Sequence, residues 1–375
     1  MESGRISERQ LVGLIVVSVL ATGLIYVPSS LLANSGRDAY LVLPLSAVLG
    51  LPAVWLIGSL CQRCPRAGAL ALFTDLLGKP LGTGVALAYV GFFFITVLTI
   101  VDPGGAMIRT AFMPDTPMLL LVFLLTALAG YGVYLGLETL ARFNAFVMPP
   151  MFLTFVVLAL ANYNHFNFDH LLPPLEHGLD PVWTGVVDPV GWFTQIILVL
   201  FFIPEVRHIN RRTLLSTVII NTLAFEFLIL IILATMGAKL PSFYEFPTLE
   251  LARIATFGGS VRGYDALIMT VWVTAVSLKV ALWLYAGLVL LGDIFRLQNR
   301  GSLLPPLIVL ISITAYAGVD NIWQMSHYGR SIWPHFALPT FEVGIPFLLY
   351  VISLCKRRRR ASGRGGGSAG RQRGS

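Results

Sequence analysis

Lys279 stands near the middle of the apolar run "WVTAVSLKVALWLYAGL". A lysine at the centre of a membrane helix costs roughly 2.5–3.5 kcal/mol on insertion scales. Snorkelling does not relieve it, because more than ten residues of its span lie on either side, about 15 Å or more at the helical rise. Burial inside a bundle against carbonyls, an acid or a bound anion is the alternative. Trp283 follows at i+4 and shares the same helical face. Two acids also fall within apolar runs. Glu226 could pair with Lys279 or carry a proton; for Glu342 the sequence assigns no partner. Glu138 and Arg142, spaced i, i+4, read as a structural ion pair.

Two further stretches offer backbone rather than side-chain chemistry. In "LATGLIYVPSSLLA", residues 20–33, Thr22-Gly23 and Pro28 weaken an otherwise lipid-compatible helix. In "GVVDPVGWFTQIILVLFFIPE" the corresponding marks are Pro189 and Gly191 near one end, Gln195 inside and Pro204 at the other end. An interrupted helix leaves N–H groups free at one half-helix end and C=O groups free at the other. The first attract a carboxylate and the second an ammonium or cation, so a site with both suits a zwitterion, an amino acid. Irregular backbone at membrane depth survives only where protein or a water-filled cavity covers it. Either stretch alone could be a ligand-free kink. Their matched placement favours a substrate site.

The elements that must position these residues are membrane helices. Of 375 residues 56% are hydrophobic and 12% charged, with mean hydropathy +0.78, against roughly 25% charged in soluble domains. No stretch has the alternation of an outer-membrane barrel. Runs of about 20 apolar residues fall at 11–32, 40–61, 82–101 (with room to continue towards Phe112), 117–136, 143–161, 184–204, 213–236, 264–292, 303–320 and 334–355. The fold class is therefore an all-α polytopic membrane protein of about ten helices. Five spans precede an acidic loop and five follow it, so the second set enters with opposite polarity, as two inverted five-helix repeats with broken first and sixth helices. The expected divisions are 1–161, the loop 162–183, 184–355 and a basic Gly/Ser/Arg-rich tail 356–375. Lys and Arg concentrate in the segments that lie inside when the N-terminus is inside, and the acidic loop has neither. Both termini are expected in the cytoplasm.

The first apolar run is longer than a signal-peptide core, which argues against cleavage. The arginine-rich tail reads as a stop-transfer anchor touching anionic lipid rather than nucleic acid. "CQRCP" offers two cysteines with no second pair or histidine pair to complete a zinc site. No metal or other cofactor is expected. Neither HExxH, nor a Ser–His pair at membrane depth, nor paired aspartates in the spans suggests an enzyme.

The chain resembles the B-subunit of nutrient germinant receptors, the spore germination permeases, a family of the amino acid–polyamine–organocation transporter superfamily. The resemblance is carried by "ISERQL" at 6–11, "TGLIYVPSSLL" at 22–32, "LLGKPLG" at 76–82, "GLETLARF" at 136–143, "LLPPLEHGLDPV" at 171–182, "PTLELARI" at 247–254, and Trp272 with Lys279. It implies a multi-pass protein of the spore inner membrane, partnered by the other receptor subunits. It also implies that a small nutrient, typically an amino acid, binds between the first and sixth helices, flanked by the third and eighth. Carried onto this chain, the site comprises Ala21, Thr22, Gly23, Thr96, Gly191, Gln195, Lys279 and Trp283. Family members often carry a glutamate just after the sixth-helix glycine, where this chain has Trp192. Two functions compete: a sensor that signals germination by conformational change, and an amino acid transporter working by alternating access.

Overall fold

The computed structural model describes residues 4–63, 68–244, 246–255, 264–317 and 328–365. Cys64 of the CQRCP stretch and the end of the basic tail lie outside them. Nine apolar stretches among the described residues are long enough to cross a membrane. The first of these, Glu8–Cys61, is two helices, α1 (Glu8–Ser35) and α2 (Ala39–Cys61), joined by a tight turn at Gly36–Asp38. The described residues thus make ten crossings. After the short α3 (Ala69–Leu77) come α4 (Lys79–Ala111), α5 (Met118–Leu135) and α6 (Leu137–Asn162). The sixth crossing is composite: α7 (Asp180–Gly185), α8 (Val187–Thr194), a 3-10 stretch Gln195–Leu198, α9 (Val199–Phe202) and a 3-10 turn Ile203–Glu205. Then follow α10 (Arg211–Met236), the short α11 (Pro247–Ile254), α12 (Tyr264–Phe295) and α13 (Leu304–Ala317). The tenth crossing joins a wide-turned π segment, Tyr328–Gly344, to α14 (Ile345–Gly365). Five crossings on each side of the α6–α7 connection give the two inverted five-helix repeats.

The motifs that carry the family resemblance explain several helix ends. Ser7 and Gln10 of "ISERQL" form a reciprocal cap: Ser7 N–H donates to Gln10 Oε1 at 2.8 Å and Gln10 N–H to Ser7 Oγ at 3.3 Å. In "LLGKPLG" and "GLETLARF" a single glycine separates two helices. Gly78 has φ 84° and Gly136 φ 94°, a region closed to most side chains. Glu138 and Arg142 pair as expected, at 2.5 Å.

The α1 helix is apolar on all sides and buried along most of its length, as a central helix must be. By contrast Leu120, Leu124 and Leu128 form an exposed stripe on α5, the spacing of a lipid-facing edge. Lipid tails supply no hydrophobic drive between helices, so close packing has to hold them. At Gly130 an added Cβ would lie 2.5 Å from Ile308 Cδ1, so α5 and α13 meet there only because the residue is small.

The N-terminal segment before α1 is fastened to the end of the sixth crossing. Ile6 N–H donates to Glu205 O at 2.8 Å and Arg207 N–H to Ile6 O at 3.1 Å, a parallel bridge of Ile6 with Val206. The Glu205 carboxylate accepts the Tyr285 hydroxyl at 2.5 and 2.6 Å. Thr213 at the start of α10 donates to Glu8 at 2.7 Å.

Candidate ligand site between the first, sixth, eighth and tenth crossings

Lys279 is buried in α12 and does not snorkel. Its ammonium donates to Thr22 Oγ1 of α1 at 2.6 Å and to Gln195 Oε1 at 3.0 Å, and lies 5.0 Å from the centre of the Trp192 ring. Gln195 opens the 3-10 stretch of the sixth crossing. The lysine therefore ties the first, sixth and eighth crossings at one point. Trp283, one turn further along α12 and fully buried, donates from Nε1 to Ser18 Oγ at 3.3 Å. Phe92 and Phe93 of α4 meet the Trp283 ring edge-on, each at 5.7 Å between centroids.

The expected interruptions are realised unequally. The sixth crossing is interrupted, but not at Pro189–Gly191. Pro189 falls in the first turn of α8, where its missing N–H has no intrahelical acceptor to serve. The change of pitch comes later, at Gln195–Leu198. The expected opening of the first helix at Thr22-Gly23 is corrected: α1 is continuous from Glu8 to Ser35. Gly23 provides close packing instead of free backbone, since an added Cβ would lie 2.3 Å from Phe225 Cζ and 3.5 Å from Trp192 Cε3.

The backbone weakness of α1 lies at Pro28. Proline cannot donate to the carbonyl four residues earlier, which is that of Leu24. Thr248 of α11 supplies the missing donor, its hydroxyl reaching Leu24 O at 2.5 Å. Ser29 and Ser30 back-bond to the neighbouring Tyr26 and Val27 carbonyls.

The remaining expected site residues divide. Ala21 is buried and lines a cavity of about 40 Å³ together with Leu24, Met107, Phe155, Thr248 and Trp272. Gly191 is buried in α8 and its carbonyl accepts from Thr194 Oγ1 at 3.1 Å. Thr96 is not brought to Lys279 by a hydrogen bond; its hydroxyl donates within α4 to Phe92 O at 2.7 Å. Glu226 makes no ion pair with Lys279 among the described residues, and its Oε2 is buried without a hydrogen bond.

The residue that the sequence left without a partner is also brought to the edge of the break. Glu342, in the tenth crossing, is 0% exposed. Its Oε2 accepts a short hydrogen bond from Thr194, the residue before Gln195. Oε1 has no hydrogen-bond partner. Asp102, likewise buried with Oδ1 unpartnered, lies just beyond the expected end of the third span. Ser18 was findable from spacing: Ser18 and Thr22 are i, i+4 on α1, as Lys279 and Trp283 are on α12.

The architecture is shared with solved transporters. MHP1, a nucleobase-cation-symport-1 family transporter in a closed conformation with bromovinylhydantoin bound, superposes with a TM-score of 0.65 at 13% identity, covering 95% of this chain and 80% of that one. MhsT in complex with L-phenylalanine gives 0.62 at 15% identity, covering 91% and 97%. Sequence relatives are more specific. Spore germination protein KB of Bacillus subtilis (strain 168) is 24% identical over 371 residues, 97% of this chain and 99% of that protein. Spore germination protein XB of Bacillus anthracis is 25% identical over 358 residues, 88% and 93%. A family model described as "Spore germination protein" matches residues 5–321, which takes in the capped start of α1, the 3-10 interruption and Lys279. With that match over most of its length, this multi-pass membrane chain belongs to the spore germination protein family.

Proposed function

We propose that the chain is the membrane subunit of a spore nutrient germinant receptor, lying in the spore inner membrane with both termini in the cytoplasm. A small nutrient, an amino acid, binds where α1 meets the 3-10 stretch of the sixth crossing. Binding shifts the balance between conformations, and the other receptor subunits read that shift. The observation that carries this reading is the buried Lys279 ammonium, held by Thr22 on one side and Gln195 on the other. A lysine buried in lipid-embedded protein marks a functional site by default, and this one joins the elements that move in inverted-repeat folds. An ammonium has three donors. Two are engaged in these bonds, and the one to Gln195 can be exchanged for a bond to the carboxylate of the nutrient.

An alternating-access carrier could be built on the same fold. Purified chain in vesicles, offered labelled amino acids, separates the two. Binding without accumulation is the expected result for a sensor, and sustained accumulation would replace the sensor with a transporter. Spores whose receptor carries Lys279→Ala should fail to respond to the cognate nutrient while still containing the protein. A normal response would remove the lysine from the site.

A further inference from the structure

Glu342 presents an electrostatic problem that its surroundings do not solve. It is fully buried at membrane depth, where an ionised carboxylate without compensation is among the least favourable arrangements a protein can hold. One oxygen is satisfied by Thr194. That hydroxyl has one hydrogen and also lies 3.1 Å from the Gly191 carbonyl, so it does not fully serve both acceptors. The nearby phenol offers no relief, because Tyr89 donates to the backbone carbonyl of Phe341 at 2.8 Å. Oε1 is left bare. No ion pair joins the carboxylate to Lys279, whose ammonium is directed at Thr22 and Gln195 instead.

Thr194 and Gln195 are consecutive, and each holds one of these two charges at the point where α8 gives way to 3-10 helix. We infer that Glu342 is the anionic half of the ligand site, its free Oε1 receiving the ammonium of a zwitterionic nutrient whose carboxylate is received by Lys279. This rests on the proposed ligand site and specifies its chemistry. One buried positive and one buried negative group accept a zwitterion without leaving net charge inside the membrane. A purely anionic or purely cationic ligand would leave one of them uncompensated. To enter, the ligand carboxylate displaces the Gln195 amide from Lys279. The residue that moves is then the first residue of the 3-10 stretch, so recognition acts directly on the break.

The test is calorimetric titration of the purified full chain in detergent with the proteinogenic amino acids. Each one that binds is then compared with the carboxylic acid lacking its amine, in sodium and in choline buffers. Wild type should bind an amino acid and bind its deaminated counterpart about ten- to a hundredfold more weakly, the range expected for one hydrogen bond to a charged group. Glu342→Gln should abolish the preference for the amino acid over the deaminated acid, weakening the former and not the latter. Glu342→Asp, which keeps the charge, should retain part of the preference, and ligand-free melting temperatures show whether each variant is folded. If Glu342→Gln binds the amino acid as wild type does, or weakens both ligands alike, the inference is wrong while the ligand site stands. A requirement for sodium that disappears in Glu342→Gln, with the amine preference intact, would assign the carboxylate to a metal cation and also overturn it. If no amino acid binds wild type, the proposed function itself falls, and this inference with it.

Discussion

The Lys279 ammonium and the Thr22 hydroxyl sit 2.6 Å apart, and one turn along the same two helices Trp283 donates to Ser18 at 3.3 Å. Rising numbers on α12 meet falling numbers on α1, so the helices run antiparallel, as the first and eighth of ten consecutive crossings must. The two bonds form successive rungs, each from a donor on α12 to a hydroxyl on α1. A slip of one turn would carry Lys279 from Thr22 to Ser18, a move of about 5.4 Å.

Thr22→Val keeps the shape of the side chain and removes the first rung. The lysine then depends on Gln195 alone. Losing a bond to a charged, buried group costs about 1.5–3 kcal/mol, so the nutrient concentration for half-maximal germination should shift by about tenfold or more. Dose–response curves of spores carrying the variant check this. An unshifted curve would mean that the rung belongs to packing only.

Gly23→Val should destabilise the bundle through the Phe225 ring, 2.3 Å from where the new Cβ would sit. Overpacking of this kind costs about 1–3 kcal/mol. The rescue is specific: Phe225→Leu in the same chain should restore most of the lost thermal stability in detergent. A double variant no better than Gly23→Val would place the clash elsewhere.

Thr248→Val should leave the Leu24 carbonyl buried without a donor, at a cost of about 1–3 kcal/mol, and loosen α11 from α1. Hydrogen exchange over residues 247–254 should rise. Because Pro28 creates the vacancy, Pro28→Ala supplies a backbone N–H to Leu24 and should make Thr248→Val nearly neutral. The cycle of single and double variants measures this coupling directly. Additive effects would show that the two residues act independently.

Ile6→Pro removes the N–H that reaches Glu205 O at 2.8 Å. The end of the sixth crossing should become more accessible, read as faster labelling of a cysteine placed at Val206. A conservative Ile6→Val should leave the labelling rate unchanged.

Much of the fold could be read from the sequence because lipid imposes simple rules. Each run of about 20 apolar residues became a crossing, and the odd number on each side of the acidic loop gave the inverted arrangement. The placement of Lys279 and Trp283 on one face also followed from spacing alone. What spacing could not supply was which weak point would actually open. Thr22-Gly23 looked like a gap, yet Phe225, some two hundred positions away in the chain, turns the glycine into a packing contact. The sequence marked Pro28 only as a weakness. Its complement, Thr248, sits in a short helix between crossings that no hydropathy scan selects. Glu342 was visible as a charge in lipid, but its meeting with Thr194 depends on how the tenth crossing packs against α8.

The bridge between Ile6 and Val206 makes the two ends of α1 unequal in how they are held. At the face carrying the N-terminus, the start of α1 and the end of the sixth crossing are joined by two backbone hydrogen bonds, with the Glu205–Tyr285 contact adjoining them. At the far end of α1, the Pro28 turn is joined to α11 by a side-chain hydrogen bond, from the Thr248 hydroxyl to Leu24 O, beside apolar packing. A disturbance starting at Lys279 meets unequal resistance in the two directions. A displacement of α1 is therefore expected to loosen the α11 end first, with the N-terminal fastening as its fulcrum, an order that hydrogen exchange at residues 6–10 and 247–254 would read.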